Sequence, residues 1–168
     1  PYAFSEPRLP FDKAFFEGVS GLTTTGATVI DDLNKMPRTI LLWRSLSEWL
    51  GAMGIIAMFV VVLSGLGASG RSLFQTESSV HGSDIVGASR STVGSLWLLY
   101  VGLTIVCGLG MWILGMSPFQ ALNHALTTTA TGGFGTENTS LNQFGIPLKL
   151  WTCVFMFLCG ISLPLYVA

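Results

Sequence analysis

Apolar residues run along this chain in three long uncharged stretches, separated by segments in which small, polar and apolar residues mix. A bilayer core about 30 Å thick takes roughly 20 apolar helical residues. Leu50 to Gly70, Val93 to Leu114 and Leu150 to Ala168 are close to that length and contain no charge. Trp97, Tyr100 and Trp112 sit toward the ends of the second stretch and Trp151 at the mouth of the third, where amphipathic rings anchor at a membrane interface. Gly51, Gly54, Gly65, Gly102, Gly108 and Gly110 fall in these stretches. They would weaken a helix in water, but in lipid small residues let neighbouring helices approach closely. The pattern predicts spanning helices over about 42–70, 93–115 and 148–168.

Two other segments, Leu9 to Leu22 and Ser117 to Thr129, carry Pro-Phe near their start, and proline in the first turn is a helix-start signal. A dozen helical residues cover roughly 18 Å, too little to cross a bilayer, so these read as re-entrant helices over about 10–22 and 118–129. Each runs into a threonine-rich strip containing glycine: Leu22-Thr23-Thr24-Thr25-Gly26-Ala27-Thr28 and Thr128-Thr129-Ala130-Thr131-Gly132-Gly133-Phe134-Gly135. Placing Gly26 on Gly132, an offset of 106, also matches Thr23 with Thr129 and Thr25 with Thr131. The chain therefore divides into a first unit at 1–70 with its strip at 23–28, a polar linker at 71–92, and a second unit at 93–168 with its strip at 130–135.

Irregular backbone at membrane depth survives only where it is buried in protein or lines a watery path. In such a path several carbonyl dipoles can replace the hydration shell of a monovalent cation. Glycine adopts conformations closed to residues with a Cβ, and threonine adds a hydroxyl oxygen. The preceding short helix would aim its negative C-terminal end at the ion. Neither strip holds a carboxylate, which a divalent or proton-coupled site would be expected to use. A helix ending in a glycine cap explains one strip as well, but two strips in the same context favour the ion path.

Composition narrows the classes further. The 168 residues hold 8 Lys plus Arg and 9 Asp plus Glu, a charged fraction of 10% against about 25% in soluble domains; mean hydropathy is +0.62. Disorder and a nucleic-acid surface are disfavoured, and lipid is the expected surrounding. Cys107, Cys153 and Cys159 form no CxxC pair or Cys/His cluster and read as small membrane-helix residues rather than a metal or disulfide site. The chain opens with Pro1-Tyr2 and shows no signal peptide, so it reads as a piece of something longer. Intramembrane catalysis would need a nucleophile with a base, or paired acids, on the spans, and the three stretches offer none. Gly65-Leu66-Gly67-Ala68-Ser69-Gly70 follows a helix and lacks a P-loop lysine, so it does not read as a nucleotide site. Basic residues number two in Arg71 to Thr92 and four in Pro1 to Arg38, which leaves orientation undecided.

Phe16-Glu17-Gly18-Val19-Ser20-Gly21-Leu22-Thr23-Thr24-Thr25-Gly26-Ala27-Thr28, with Met36-Pro37-Arg38, Trp43-Arg44 and Trp49-Leu50-Gly51-Ala52-Met53-Gly54-Ile55, resembles the first pore loop and following helix of the Trk/Ktr/HKT superfamily of potassium transporters, bacterial Trk type above all. Ala130-Thr131-Gly132-Gly133-Phe134-Gly135-Thr136 is similar to that family's second pore loop, and the resemblance covers essentially the whole chain. It implies an all-α membrane protein with transmembrane helices, re-entrant pore helices and extended filter loops, here two partial helix, pore loop and helix units of a four-unit pseudo-tetrameric channel fold. It implies K⁺ as the transported ion, coordinated by the carbonyls of Thr24, Thr25, Gly26, Ala130, Thr131 and Gly132, with no organic cofactor and no enzymatic activity. Neither filter glycine is replaced by the serine associated with Na⁺ passage in plant relatives, and Gly135 stands where serine is more usual. A weakly selective Na⁺/K⁺ transporter of the same fold is the alternative. Implied partners are the remaining pore units, a second copy in a homodimer, a cytosolic nucleotide-binding regulatory subunit and the lipid bilayer. The implied location is the bacterial inner membrane, multi-pass, with pore loops outside and 71–92 cytoplasmic.

The remaining charges carry alternatives. Arg44 and Glu48, four residues apart, share a helix face as an interfacial pair or as a contact to neighbouring units or the pore entrance. Glu17 braces its loop or charges the pore mouth; by the offset of 106 its counterpart is Asn123, and that of Gly18 is His124, more often a hydrogen-bonded packing residue than a pH sensor. Asp31, Asp32 and Glu137 are solvated loop charges or make an outer vestibule negative. Asn138-Thr139-Ser140 fits a glycosylation sequon, a pattern too short to carry weight.

Overall fold

The computed structural model describes residues 1–65 and 89–161. Among them every long element is helical: α1 (Phe11–Leu22), α2 (Arg38–Gly65), α3 (Ser89–Ile113), α4 (Pro118–Thr129) and α5 (Ile146–Gly160), with a single 3₁₀ turn at Leu33–Lys35. Most of the linker expected at 71–92, the Gly-rich run after Gly65 and the last seven residues of the third apolar stretch lie outside the described residues.

Proline sets four of the helix starts: α1 follows Pro10, α2 follows Pro37, α4 opens on Pro118 and α5 carries Pro147 in its first turn. α4 is also held by a capping box, in which the Gln120 amide donates to Ser117 Oγ at 3.3 Å and the Ser117 amide donates to Gln120 Oε1 at 3.2 Å, satisfying first-turn groups that have no helical partner. Among the described residues one helix, Gly94–Ile113 with a mean hydropathy of 2.0, meets the length and composition of a membrane span; the apolar Ile146–Gly160 is shorter.

α4 lies at the centre, packed against α2, α3 and α5, while α1 packs on α2. From Ala121 to Thr129 only Leu122 of α4 is exposed. Cys107 and Met111 of α3, Ala121 and Ala125 of α4, and Leu148 and Phe155 of α5 form the main apolar cluster. Glycine permits the closest approaches. A Cβ on Gly110 would fall on the Trp151 ring, and one on Gly108 would lie 3.2 Å from Ala125 Cβ. Trp151 donates from Nε1 to the Cys107 carbonyl at 3.2 Å, so it is a packing residue rather than an interface anchor. Tyr100 differs from its expected role in the same way. It is fully buried, stacks on Trp49 at 5.2 Å and donates to the Trp49 carbonyl at 3.3 Å, because α2 and α3 meet through this aromatic cluster. Trp112 stays exposed.

Candidate functional site

Both short helices end alike. In the first, the amides of Thr23, Thr24 and Thr25 donate to the carbonyls of Val19 (2.9 Å), Gly21 (3.0 Å) and Ser20 (2.9 Å). In the second, those of Ala130, Thr131 and Gly132 donate to Leu126 (3.2 Å), Thr128 (3.0 Å) and Thr127 (3.0 Å). These are Schellman closures, with threonine at the left-handed position where glycine is usual: φ is 55° at Thr24 and 53° at Thr131. A β-branched residue there is strained. Glycine follows two positions later in each strip, with φ of 72° at Gly26 and 101° at Gly133.

The backbone therefore repeats with an offset of 107, setting Thr24 on Thr131 and Gly26 on Gly133. Matching residue letters gives 106, because two consecutive glycines in the second strip allow either register; the helix ends decide it. In this register Glu17 stands opposite His124 and Gly18 opposite Ala125, not opposite Asn123 and His124.

The two strips meet. A Cβ on Gly26 would collide with the Gly132 carbonyl oxygen and lie 3.0 Å from its carbon. Of the residues singled out from the sequence, Gly26 and Gly132 are thus brought into backbone contact. Thr25 and Thr131 are exposed beside them, Thr24 is partly buried, and Ala130 is buried at the end of α4. Along the strips, Thr23, Thr25, Ala27, Thr28, Thr131 and Gly133 are exposed in this chain taken by itself.

The strips also rest on buried charge. Glu17 of α1, with Arg44 and Glu48 of α2, is at most 1% exposed. Glu17 Oε1 accepts from the Val29 amide at 2.8 Å and from the Thr28 hydroxyl, while its Oε2 pairs with Arg44 Nε at 3.5 Å. Arg44 donates from Nη1 to the Gly135 carbonyl at 3.3 Å and lies 4.0 Å above the Phe134 ring, a cation over an aromatic face. Glu48 Oε2 accepts from the Phe134 amide at 3.3 Å, and a Cβ on Gly132 would sit 2.5 to 2.6 Å from the carboxylate oxygens. Arg44 pairs with Glu17, not with the Glu48 one turn away on its own helix, and Glu17 braces its loop as one of the two readings held. Sequence reasoning lacked the long-range register that joins them. The available signal was the presence of three charges in so apolar a chain, since buried charges are retained only when paired.

Hydroxyls and amides complete the frame. Ser20 Oγ donates to the Ala27 carbonyl at 2.6 Å. Ser45 Oγ donates to Asn123 Oδ1 at 2.8 Å, Thr104 and Thr129 share a hydroxyl contact of 3.1 Å, and His124 meets Thr136 at 3.4 Å as a packing histidine. Beyond the strips the two polar turns are tied together. Asn138 accepts from the Leu33 amide at 2.8 Å and donates to Asp32 at 3.1 Å, and Lys35 pairs with Asp32 at 3.2 Å. Lys35 foremost, then Asn138, holds the Asp32 carboxyl below its ordinary value. Glu137 accepts from Gln120 at 2.5 Å.

Two short helices thus end in strained strips that abut over buried charge, within a helical chain of which one described helix, Gly94–Ile113, has the length and hydropathy of a membrane span. The chain matches the family described as TrkH, cation transport protein, over residues 1–168 and belongs to it. It is 39% identical over 170 residues to the Trk system potassium uptake protein TrkH of Escherichia coli (strain K12), covering 99% of this chain and 35% of that protein. Identity is 38% over 165 residues to TrkH of Vibrio parahaemolyticus, covering 96% and 34%, and 41% over 142 residues to the Trk system potassium uptake protein TrkG of Escherichia coli (strain K12), covering 83% and 29%. The crystal structure of the potassium transporter TrkH from Vibrio parahaemolyticus matches with a TM-score of 0.80 at 37% identity, covering 96% of this chain and 32% of that one. The chain spans about a third of the length of these relatives.

Proposed function

We propose that this chain supplies two pore units of a K⁺-translocating membrane subunit, in which hydrated K⁺ sheds water against the carbonyls of the two strips. The observation that carries this reading is the backbone contact between Gly26 and Gly132 beside exposed threonines. Carbonyl oxygens in irregular backbone, bounded by buried bracing on one side, are suited to replace the hydration shell of a large monovalent cation. The coordinating set is Thr24, Thr25 and Gly26 with Ala130, Thr131 and Gly132, and the backbone register adds Gly133 as the partner of Gly26. In that register Ala130, which caps α4 as Thr23 caps α1, lies at the inner edge of the set.

The protein transports and does not catalyse. Exposed Phe11, Phe15, Val19 and Leu22 on α1 are covered by the remaining pore units or by lipid, since patches of this kind mark contacts. Strips 23–28 and 130–135 face the outside of the bacterial inner membrane and 71–92 the cytoplasm. A homodimer and a cytosolic nucleotide-binding regulatory subunit complete the system in this proposal; the relatives are named as proteins of a Trk system. Rubidium and sodium flux through the full-length protein in vesicles tests this. Preferential Rb⁺ passage is expected, with Gly26→Ser lowering the Rb⁺ to Na⁺ ratio; equal passage of both ions by the unmodified protein overturns K⁺ selectivity.

A further inference from the structure

We infer that Glu17, Arg44 and Glu48 are positioning residues that lock the two strips to each other, so that ion discrimination depends on this buried cluster and not on the strips alone. The inference rests on the filter reading above. A buried ion pair whose only role is packing would end on helix atoms or on other side chains. Each member of this cluster instead ends on strip backbone or just beyond it: Glu17 on the Val29 amide, Arg44 on the Gly135 carbonyl, and Glu48 on the Phe134 amide with its carboxylate against Gly132.

The arrangement also crosses between units. Arg44 and Glu48 rise from α2, which follows the first strip, yet both hold the second strip; Arg44 then ties back to Glu17, which holds the first. One guanidinium thereby fixes the spacing between Gly26 and Gly132, whose contact leaves no room for a methyl group. Arginine suits this role because its planar fork serves an ion pair, a carbonyl and an aromatic face at once, which a lysine ammonium does not. The apposition of carbonyls is what a dehydrated ion meets, so a small change in spacing alters which ion fits.

The test measures Rb⁺ and Na⁺ flux through the full-length protein in vesicles for Glu17→Gln, Glu48→Gln, Arg44→Gln and Arg44→Lys. Thr152→Val serves as a packing control, since Thr152 is buried and, among the described residues, its hydroxyl bonds to the Leu148 carbonyl of the same helix. The Rb⁺ to Na⁺ ratio is expected to fall about tenfold in Glu17→Gln, Glu48→Gln and Arg44→Gln, equal to about 1.4 kcal/mol of discrimination, less in Arg44→Lys, and not at all in Thr152→Val. If Arg44→Gln does not fold, the near-isosteric Glu17→Gln and Glu48→Gln decide the matter. Variants that keep the wild-type ratio within about twofold, whatever their total flux, overturn the inference and leave the transport reading standing. A wild-type protein that passes neither ion overturns the transport reading itself.

Discussion

Thr24 and Thr131 hold left-handed backbone angles that cost a β-branched residue of order 1–2 kcal/mol each. Strain of this kind persists where the surrounding structure over-determines it, here through the paired closures of α1 and α4. Thr24→Gly should therefore raise the melting midpoint of the purified full-length protein or leave it unchanged, while lowering its Rb⁺ to Na⁺ flux ratio; a lowered midpoint with an unchanged ratio contradicts this. Asp32 illustrates a different residue-scale effect. Its depressed carboxyl value, set chiefly by Lys35, means that the folded state favours the charged form, so its contribution is present above the ordinary carboxylate range and is lost as pH falls through the folded value. The stability difference between wild type and Asp32→Asn should be visible at pH 7, begin to shrink near the unperturbed carboxylate value of about 3.9, and disappear only once pH falls below the depressed folded value. A difference that grows on acidification would be the wrong sign.

At the scale of elements, glycine positions separate close packing from open space. A Cβ on Gly51 would collide with the Leu22 carbonyl, whereas one on Gly54 meets nothing within 4 Å. Gly54→Ala should raise or preserve the melting midpoint, since alanine is favoured over glycine in a helix by about 1 kcal/mol. Gly51→Ala should lower it, because the obstacle is backbone at the end of α1 and cannot rotate away. Equal effects at the two sites would show that α1 does not seat on α2 as described. The short helices were legible because proline opens them and Thr-Gly strips end them; the pattern places them at about 10–22 and 118–129, beside Phe11–Leu22 and Pro118–Thr129 in the structure. α2 starts at Arg38, directly after Pro37 and four residues before the 42–70 expected from hydropathy, since a search for lipid-compatible length discounts a first turn that carries Arg38. The charge cluster was illegible for a related reason: Arg44 and Glu17 lie 27 residues apart, and periodicity reports only neighbours on the same element. The repeat was visible in its letters, but its register was fixed only by hydrogen bonds at the helix ends.

Over the whole molecule, scarce charge acquires a definite meaning. Of the 17 charged residues, three are buried together behind the strips, and the strips present only carbonyl and hydroxyl oxygens. Neutral oxygens suit a large monovalent cation over a divalent one, so the polarity of the chain and the proposed cargo agree. The most direct measurement is a structure of the full-length protein soaked with thallous ion, a K⁺ mimic with strong anomalous scattering. The account predicts an anomalous peak beside the contact between Gly26 and Gly132, directly coordinated by strip carbonyls in place of its hydration shell. A peak on a path that avoids both strips, or strip carbonyls turned away from the ion, would contradict it.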